Sequence, residues 1–422
     1  MNASKKTIRI GIFVDGDFIP SYDGAANRFH YLARHLGLHS QVDVVIFHGY
    51  RRWSDVTQIV AEPFTTYFIP IQKYYSDLDF LATLVREEKL DILQFDNLEP
   101  LLMIGISLAK QTGCHLVSDM LYDVVRLASS LGAPIKKIAQ IKKMEASVTR
   151  NIDGMICISD IDLRSIRVRN NVKRDKLFLL SSGVDTAGIK FIGANIESKT
   201  LLFLGNLFFE PNAVALNLIV EKIYPRLKSD GYSISVVGDV PAGLLKKYAN
   251  EVDFVGTVAD LNSVLKKATV ALAPILEGTG LRIKILNYLA AGLPTLTTSF
   301  GAEGFARKEL LVIEDRIENY AAVIKQLVSD KSLLKRKATL ARKIMEKEYD
   351  WSVIAANARH IYLQILEKTT CCKNIWPSEK PSEIQPVWLD EAIQKKRFNE
   401  IPSSIPINFS YAVSKNGTLK VF

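Results

Sequence analysis

Cysteine is scarce in this sequence, with four residues in a chain of 422. Cys371 and Cys372 are adjacent, which is a poor geometry for an ordinary disulfide, and Cys114 and Cys157 lie in apolar segments that we predict to be strands. A disulfide-rich scaffold is therefore excluded. This cysteine usage favours a reducing compartment, and we expect a cytoplasmic protein.

Long apolar runs are also missing. The longest ones, such as Val270–Pro274, have the length of a strand, whereas a helix needs roughly 20 apolar residues to span a bilayer. At the amino terminus, the apolar run Ile8–Val14 leads directly into Asp15. We therefore predict neither a signal peptide nor a transmembrane helix.

Several catalytic signatures do not occur. The sequence contains no HExxH, CxxC, GxSxG or GxxxxGK[ST] motif, which excludes zinc peptidases, dithiol redox proteins, α/β-hydrolases and P-loop NTPases of the usual kind. His30, His35 and His39 share a helical stretch without a carboxylate motif nearby. We predict no metal site.

Charge of one sign is not concentrated. Lys and Arg number 54 against 45 Asp and Glu, a formal net charge of +9, and the excess is spread with mild clusters at 136–143 and 331–347. A nucleic-acid-binding protein typically has a focused basic stripe with interleaved aromatic residues. We therefore predict no nucleic-acid partner.

One basic segment leaves two interpretations open. Between Ile135 and Met144, apolar residues recur every three positions, and Lys136, Lys137, Lys142 and Lys143 lie alongside. The pattern is typical of a helix that packs on a core and has a solvated basic face. The alternative is a peripheral contact with anionic lipid headgroups at the inner face of a membrane.

The remaining sequence predicts an α/β fold. Short β-branched or Leu-rich runs alternate with helical patterns through about residue 365, and most of these runs lack strict alternation, as expected of parallel strands buried on both faces. We predict two tandem Rossmann-like domains that face a central cleft. They comprise a first domain over residues 1–185 and a second domain over 186–368 that includes a closing helix. A Pro-containing tail, 369–422, has one helix-like piece at Val387–Phe398.

The most informative segment is Glu277–Pro294, which contains two glycines and follows a predicted strand. Helix amino termini offer free N–H groups and a partial positive charge. Arg282 and Lys284 add two cations there, against the usual preference for acidic residues, so the pattern favours an anion such as a diphosphate. Asn287 shares a helix face with Lys284 and is placed to reach a sugar hydroxyl.

These residues resemble the family-4 glycosyltransferases of the GT-B fold, in the subgroup with a Gly-x-Gly-Thr-Arg-Leu-Lys-Ile-Leu-Glu segment. The resemblance covers about residues 8–365. Besides Glu277–Pro294, the matching segments of the second domain are Phe203–Asn206 with Pro211 and Asn212, Ser235–Gly238, Val255–Val258 with Asp260, and Thr298–Gly304. In the first domain they are Asp23–Ala26, Glu145, Asp153, Ile158 with Ser159, and Ser182–Asp185.

The resemblance implies a nucleotide-diphosphate sugar as donor substrate, no required metal, and transfer with retention at the anomeric carbon. Arg282 and Lys284 would hold the diphosphate, helped by the backbone amides of Thr279, Gly280 and Leu281. The nucleotide would be bordered by Gly205, Gly256 and Val258. The acceptor side would be shaped by Asp23 and Gly24.

The sequence departs from the family at three motif positions, and it also lacks the family's basic residues around Asn206–Pro211. The family's Glu-x7-Glu pair falls on Thr279 and Asn287, and the neutral Asn287 would lose a charge-assisted hydrogen bond to ribose of about 1–2 kcal/mol. A frequent His-Asp pair reads Tyr122-Asp123, which leaves Tyr122 and Asp123 as the candidate catalytic residues.

Three functions follow. The first is a retaining glycosyltransferase of hexosyl type, which acts on a glycan, a glycolipid or lipid-linked acceptor, or a small molecule. The second is a catalytically degenerate subunit that binds a partner glycosyltransferase or a glycan. The third is a sugar-nucleotide epimerase.

Overall fold

The computed structural model describes residues 7–15, 24–39, 41–50, 55–61, 63–96, 100–369, 411–413 and 419–421. They form two α/β units with central sheets of eight and six strands. The predicted pair of tandem Rossmann-like sheets is confirmed.

The first sheet is parallel except at one edge. Its strands are β1 (Ile8–Asp15), β2 (Val42–Tyr50), β3 (Thr57–Ala61), β4 (Phe64–Pro70), β5 (Ile92–Asp96), β6 (His115–Met120), β7 (Gly154–Cys157) and β8 (Leu177–Leu179). Their spatial order is β3-β4-β2-β1-β5-β6-β7-β8. Strand β3 pairs antiparallel with β4 and was not predicted. It is a five-residue edge strand, and edge strands have a weak hydrophobic signature because one side is unpaired.

Seven helices accompany this sheet in the described part of the chain. They are α1 (Gly24–Gly37), α2 (Ile71–Ser76), α3 (Leu78–Glu87), α4 (Pro100–Thr112), α5 (Val124–Ser130), α6 (Ile135–Asn151) and α7 (Asp160–Asn170). Helix α6 contains the basic segment, but its first residue, Ile135, is highly exposed and does not pack on the core as the spacing predicted.

The second sheet is entirely parallel. Its strands are β9 (Thr200–Leu204), β10 (Ser233–Val237), β11 (Val252–Gly256), β12 (Ala268–Ala273), β13 (Thr295–Thr297) and β14 (Val312–Ile313). The order β11-β10-β9-β12-β13-β14 reverses direction between β9 and β12. Ligands of open α/β sheets bind outside the carboxyl ends of the strands at such a switch point.

The helices of the second unit surround this sheet. They are α8 (Glu210–Leu218, extended by a π-helical turn Ile219–Ile223), α9 (Ala242–Tyr248), α10 (Asn262–Leu265), α11 (Ile283–Ala290), α12 (Tyr320–Ser329), α13 (Lys331–Ile344) and α14 (Trp351–Thr369). Tyr288 of α11 is fully buried, and its hydroxyl accepts a hydrogen bond from the Leu204 amide at 2.7 Å. This bond fixes α11 against the end of β9.

The last long helix, α14, returns to the first domain and packs against α1. The Tyr362 hydroxyl donates to Gln94 Oε1 at 2.5 Å, and Gln94 in turn donates to Asp119 Oδ2 at 2.9 Å. Asp119 forms a fully buried ion pair with Arg28 at 2.9 Å. Because buried charges need complete hydrogen bonding, this network specifies how α14 joins the first domain.

Within the tail, the described residues are β15 (Tyr411–Val413) and β16 (Leu419–Val421), which pair antiparallel. The predicted helix-like piece Val387–Phe398 lies outside the described residues. In the described part of the chain, no helix is both long enough and apolar enough to cross a membrane.

Candidate functional site

The glycine-rich loop lies between β12 and α11, at the switch point of the second sheet. Gly278 and Gly280 have φ angles of +100° and +81°, a region that disfavours other residues. A Cβ on Gly280 would lie 2.6 Å from the carbonyl oxygen of Leu121 in the first domain. Glycine at 280 is therefore required where the two domains approach each other, and the loop forms one wall of the cleft.

Arg282 and Lys284 lie at the amino terminus of α11 as predicted. Arg282 is the N-cap residue, and its side chain forms no capping hydrogen bond. The Lys284 ammonium donates to Asn212 Oδ1 at 2.6 Å and lies 4.2 Å from the centre of the Phe203 ring. The Arg282 Nη1 donates to the Gly280 carbonyl, while its buried Nη2 has no hydrogen-bond partner among the described residues.

Burial changes the ionisation of both cations. It lowers the pKa of Arg282 from 12.5 to about 10. Burial also lowers the pKa of Lys284 from 10.5 to about 7, helped by repulsion from Arg282. Neither side chain forms a direct ion pair with a carboxylate of the described residues, although the charges of Glu303 and Asp162 raise the pKa of Arg282 in part. A bound anion would offset this cost of desolvation, because an opposite charge favours the protonated form.

Three glycines lie close together at the ends of β9 to β11, and one of them, Gly205, lies beside Lys284. The Gly238 amide donates to the Gly256 carbonyl at 3.0 Å, and a Cβ on Gly238 would lie 2.3 Å from the Gly205 carbonyl oxygen. A Cβ on Gly205 would lie 2.9 Å from Lys284 Nζ. The predicted Gly205 and Gly256 thus share the carboxyl edge of β9 to β11, where a ligand can approach the backbone closely.

The other predicted residues of the second domain lie around this edge. Val258 follows β11 and is partly buried against the core. Asn287 is partly buried and lies three residues after Lys284, on the same face of α11. Leu281 is buried, whereas Thr279 is partly exposed.

The opposite wall comes from the first domain. Thr279 Oγ1 donates to the Asp123 carbonyl at 3.5 Å, and the Gly278 amide donates to Ser130 Oγ at 3.3 Å. A Cβ on Gly280 would lie 3.4 Å from the Cβ of Tyr122. The structure therefore brings Tyr122 and Asp123 together with the glycine-rich loop.

The carboxylate of Asp123 has structural partners. Its Oδ1 accepts from the Arg126 amide at 3.0 Å, which caps α5, and from Arg169 Nη2 at 2.8 Å. Arg169 also pairs with the fully buried Glu145 at 2.5 Å. The second oxygen of Asp123, Oδ2, is buried and has no hydrogen-bond partner among the described residues.

Arg126 links the two domains and was not predicted. It pairs with Asp162 at 3.0 Å in the first domain and with Glu303 at 2.9 Å in the second. Neither Arg126 nor Arg169 lies in a sequence motif that signals its pairing. Asn212 lies in the quoted Pro-Asn segment, but its bond to Lys284 depends on the packing of α8 beside α11.

Two predictions concern residues of the first domain near the amino terminus. Asp23 lies outside the described residues, and Gly24 is the first residue of α1. Elsewhere, the described residues contain no group of three or more His, Cys, Asp or Glu arranged to hold a metal ion.

Comparisons with known proteins find similarity to glycosyltransferases. Residues 198–330 match the family described as glycosyl transferases group 1. The chain is 24% identical over 175 residues to an uncharacterized 44.6 kDa protein in the cps region of Klebsiella pneumoniae, across 38% of this chain and 45% of that protein. It is 25% identical over 232 residues to a phosphatidyl-myo-inositol mannosyltransferase of Mycobacterium leprae, across 50% of this chain and 59% of that protein. The chain thus spans about half the length of these curated relatives.

Solved structures extend the likeness to both domains. Sucrose-phosphate synthase of Thermosynechococcus elongatus superposes with a TM-score of 0.68 at 15% identity. The match covers 86% of this chain and 100% of the synthase chain. Anabaena HepE in complex with UDP-glucose superposes with a TM-score of 0.59 at 12% identity, covering 86% and 99%. The chain therefore has the GT-B fold, and residues 198–330 match the group 1 glycosyl transferases, the family that the sequence motifs resemble.

Proposed function

We propose that this protein is a retaining glycosyltransferase that moves a sugar, of hexosyl type, from a nucleotide-diphosphate donor to an acceptor hydroxyl. The observation that carries the proposal is the pair Arg282 and Lys284. Both cations are desolvated at an uncapped helix amino terminus, and Nη2 of Arg282 has no partner among the described residues. The donor phosphates complete this site.

The donor would lie along the carboxyl ends of β9 to β12. Its diphosphate accepts hydrogen bonds from Arg282, Lys284 and the amides of Thr279, Gly280 and Leu281, so the charge that a metal supplies elsewhere comes from side chains and a helix dipole. The nucleoside lies beside Gly205, Gly256 and Val258, and Asn287 contacts the ribose. The UDP-glucose in the complex of Anabaena HepE supports a donor of this class.

The transfer needs one proton movement. The bond between the anomeric carbon and the diphosphate oxygen breaks, and the acceptor oxygen forms its bond to that carbon on the same face. The acceptor proton passes to the leaving phosphate oxygen, whose developing charge Arg282 and Lys284 stabilise. Tyr122 and Asp123, on the opposite wall, would orient the sugar, and Asp23 and Gly24 would shape the acceptor side.

The acceptor class is a glycan, a lipid-linked sugar or a small molecule. The lipid acceptor named for the Mycobacterium leprae relative and the cps region named for the Klebsiella pneumoniae relative support a role in surface polysaccharide or glycolipid synthesis. A cytoplasmic location at the inner face of the membrane would suit both, since nucleotide sugars are the donors.

A second candidate is a catalytically degenerate subunit that binds a partner glycosyltransferase or a glycan. It is favoured by Asp123, whose Oδ1 already caps α5 and pairs with Arg169. The Asp123 carboxylate therefore contributes to folding even if the protein catalyses no sugar transfer. The neutral Asn287 in place of a family glutamate points the same way.

A thermal-shift screen of UDP-, GDP- and ADP-sugars, followed by a turnover assay, separates the candidates. A transferase gains thermal stability with one nucleotide class and releases the nucleoside diphosphate when an acceptor is present. A degenerate subunit releases none without its partner, and an epimerase isomerises the donor without an acceptor. Absence of any shift with all three nucleotide classes would refute the donor site itself.

A further inference from the structure

One loop of the second domain lies between the glycine-rich loop and the first domain. It follows β13 and contains Phe300, Glu303 and Gly304. Gly304 has a φ angle of +77°, and a Cβ there would lie 3.0 Å from the Ser159 Cβ of the first domain and 3.6 Å from the Leu281 amide nitrogen. Because glycine has no side chain, the loop fits into this narrow space. Glu303, the preceding residue, is therefore held where the two domains meet.

The carboxylate of Glu303 pairs with an arginine of the first domain. Its Oε2 accepts from Arg126 Nη2 at 2.9 Å, and Arg126 Nη1 donates to the fully buried Asp162 at 3.0 Å. Each terminal nitrogen of this guanidinium therefore binds its own carboxylate, and hydrogen bonds between charged groups are the strong ones. The two bonds together fix Glu303 toward the first-domain wall.

Arg282 lies on the other side of the same loop. Its guanidinium carbon lies 5.5 Å from the centre of the Phe300 ring, and its Nη1 donates to the Gly280 carbonyl. Its Nη2 is buried and has no hydrogen-bond partner among the described residues. Burial lowers the pKa of Arg282, the charge of Glu303 opposes this decrease, and the charge of Arg126 adds to it. Glu303 thus lies within electrostatic reach of both arginines, and its direct ion pair is with Arg126.

We propose that Arg126 is a positioning residue for donor binding, because it holds the Glu303 carboxylate away from Arg282 and so keeps Arg282 Nη2 available to an anion. A carboxylate and a diphosphate compete for the same guanidinium N–H groups, since both are charged acceptors. Without Arg126, Glu303 would pair with Arg282, and the diphosphate would have to displace it. The inference deepens the proposed function and rests on it for the identity of the ligand.

A direct contact of Arg126 with the donor phosphates is the competing role. Arg126 is one cation between two carboxylates, Asp162 and Glu303, so this group has no excess positive charge with which to attract a phosphate. The two roles also differ when Glu303 is changed as well. If Arg126 acts through Glu303, removal of the Glu303 charge should cancel the effect of removing Arg126. If Arg126 binds phosphate itself, removal of that charge should not cancel it.

The test is a calorimetric titration of UDP, GDP, ADP and inorganic pyrophosphate into the full chain and three variants: Arg126→Met, Glu303→Gln and the double variant. Arg126→Met should weaken the preferred ligand at least about ten-fold, because Glu303 then competes for Arg282. Glu303→Gln alone should leave the affinity unchanged, since Arg126 already neutralises this carboxylate. The double variant should recover the affinity that Arg126→Met loses.

Two results would overturn the inference. One is an unchanged affinity in Arg126→Met, and the other is a loss that the added Glu303→Gln does not reverse. Arg126→Met also leaves the buried Asp162 without this cation, which can prevent folding. The same four forms are therefore also prepared with Asp162→Asn, where no buried carboxylate is left unpaired, and the expected pattern is the same.

Arg307 and Glu348 provide a matched control, because they form another ion pair between an arginine and a glutamate of the second domain. Arg307→Met, Glu348→Gln and their double variant should bind each ligand as the unmodified chain does. A loss in Arg307→Met that Glu348→Gln reverses would overturn the inference, since it would show that breaking any such pair has this effect.

The four ligands separate this inference from the proposed function. Nucleotide binding that Arg126→Met leaves unchanged refutes this inference alone. Pyrophosphate binding with the expected pattern, without binding of any nucleotide, supports the role of Arg126 and refutes the proposed nucleotide donor. Binding of none of the four ligands by the unmodified chain would refute both.

Discussion

The two walls of the cleft differ in whether their buried charged side chains form ion pairs. On the first-domain wall, Asp123, Glu145 and Asp162 are fully buried and each pairs with an arginine, either Arg169 or Arg126. On the second-domain wall, Arg282 and Lys284 are desolvated and form no direct ion pair in the described part of the chain, although Glu303 and Asp162 act on Arg282 through space. Paired buried charges contribute to the fold, whereas we propose that the two cations without a direct ion pair bind a ligand.

The largest expected effect concerns the buried ion pairs of the first-domain wall. Arg169→Ala leaves Asp123 and Glu145 buried without their shared cation, and breaking such a pair costs about 3–5 kcal/mol. We expect a loss of that size in the free energy of unfolding, measured by urea denaturation. Arg164→Ala on the same helix is the control, since its exposed pair with Asp160 contributes less than about 1 kcal/mol. Equal losses of stability in the two variants would show that the buried pairs of Arg169 contribute no more than the exposed pair of Arg164.

The next effect concerns the protonation of Lys284 on the second-domain wall when a ligand binds. The pKa of Lys284 is about 7 in the unliganded protein, so near pH 8 its amine is largely neutral. A bound diphosphate favours the ammonium form, and binding should therefore take up about one proton near pH 8. Affinity should fall about ten-fold per pH unit above 7, because the required proton becomes scarcer.

Calorimetry in buffers of different ionisation enthalpy measures this uptake. Lys284→Met should abolish it, and Lys335→Met on the exposed face of α13 should leave it unchanged. Uptake that persists in Lys284→Met would assign the linked proton to another group.

The smallest effect concerns Asn287. Asn287→Glu restores the carboxylate that the family has at this position and should strengthen nucleoside binding about five-fold, because a charged acceptor forms a stronger hydrogen bond to ribose than an amide does. Asn287→Asp, with a shorter side chain, is the matched variant and should gain less. Weaker binding in Asn287→Glu, in a titration with UDP or GDP, would show that residue 287 does not contact the sugar.

The sequence predicted much of the fold because buried parallel strands have a local signature. The apolar runs Ile8–Val14 and Val270–Pro274, for example, overlap the observed strands β1 and β12. The same logic failed for β3, which is an antiparallel edge strand. It also failed for Ile135, because a spacing of three identifies a helix face but not whether a neighbour covers its first turn.

The site was predictable in part for a similar reason. Arg282 and Lys284 stand next to two glycines in one continuous segment, so their position at a helix amino terminus followed from the sequence. The side chains of Asn212, Arg169 and Arg126 lie 24 or more residues away in sequence from the side chains they bind. Such long-range pairs depend on how α5, α7, α8 and α11 pack, which a single sequence does not encode in any local pattern.

The most direct test of the central claim is a calorimetric titration of UDP, GDP and ADP into the unmodified chain, Arg282→Ala and Arg336→Ala. Hydrogen bonds to charged groups contribute about 1.5–3 kcal/mol, so Arg282→Ala should weaken the preferred nucleotide by at least about ten-fold. The exposed Arg336→Ala should bind as the unmodified chain does. Unchanged affinity in Arg282→Ala, or equal losses in both variants, would contradict the account that the cation without a counterion marks the donor site.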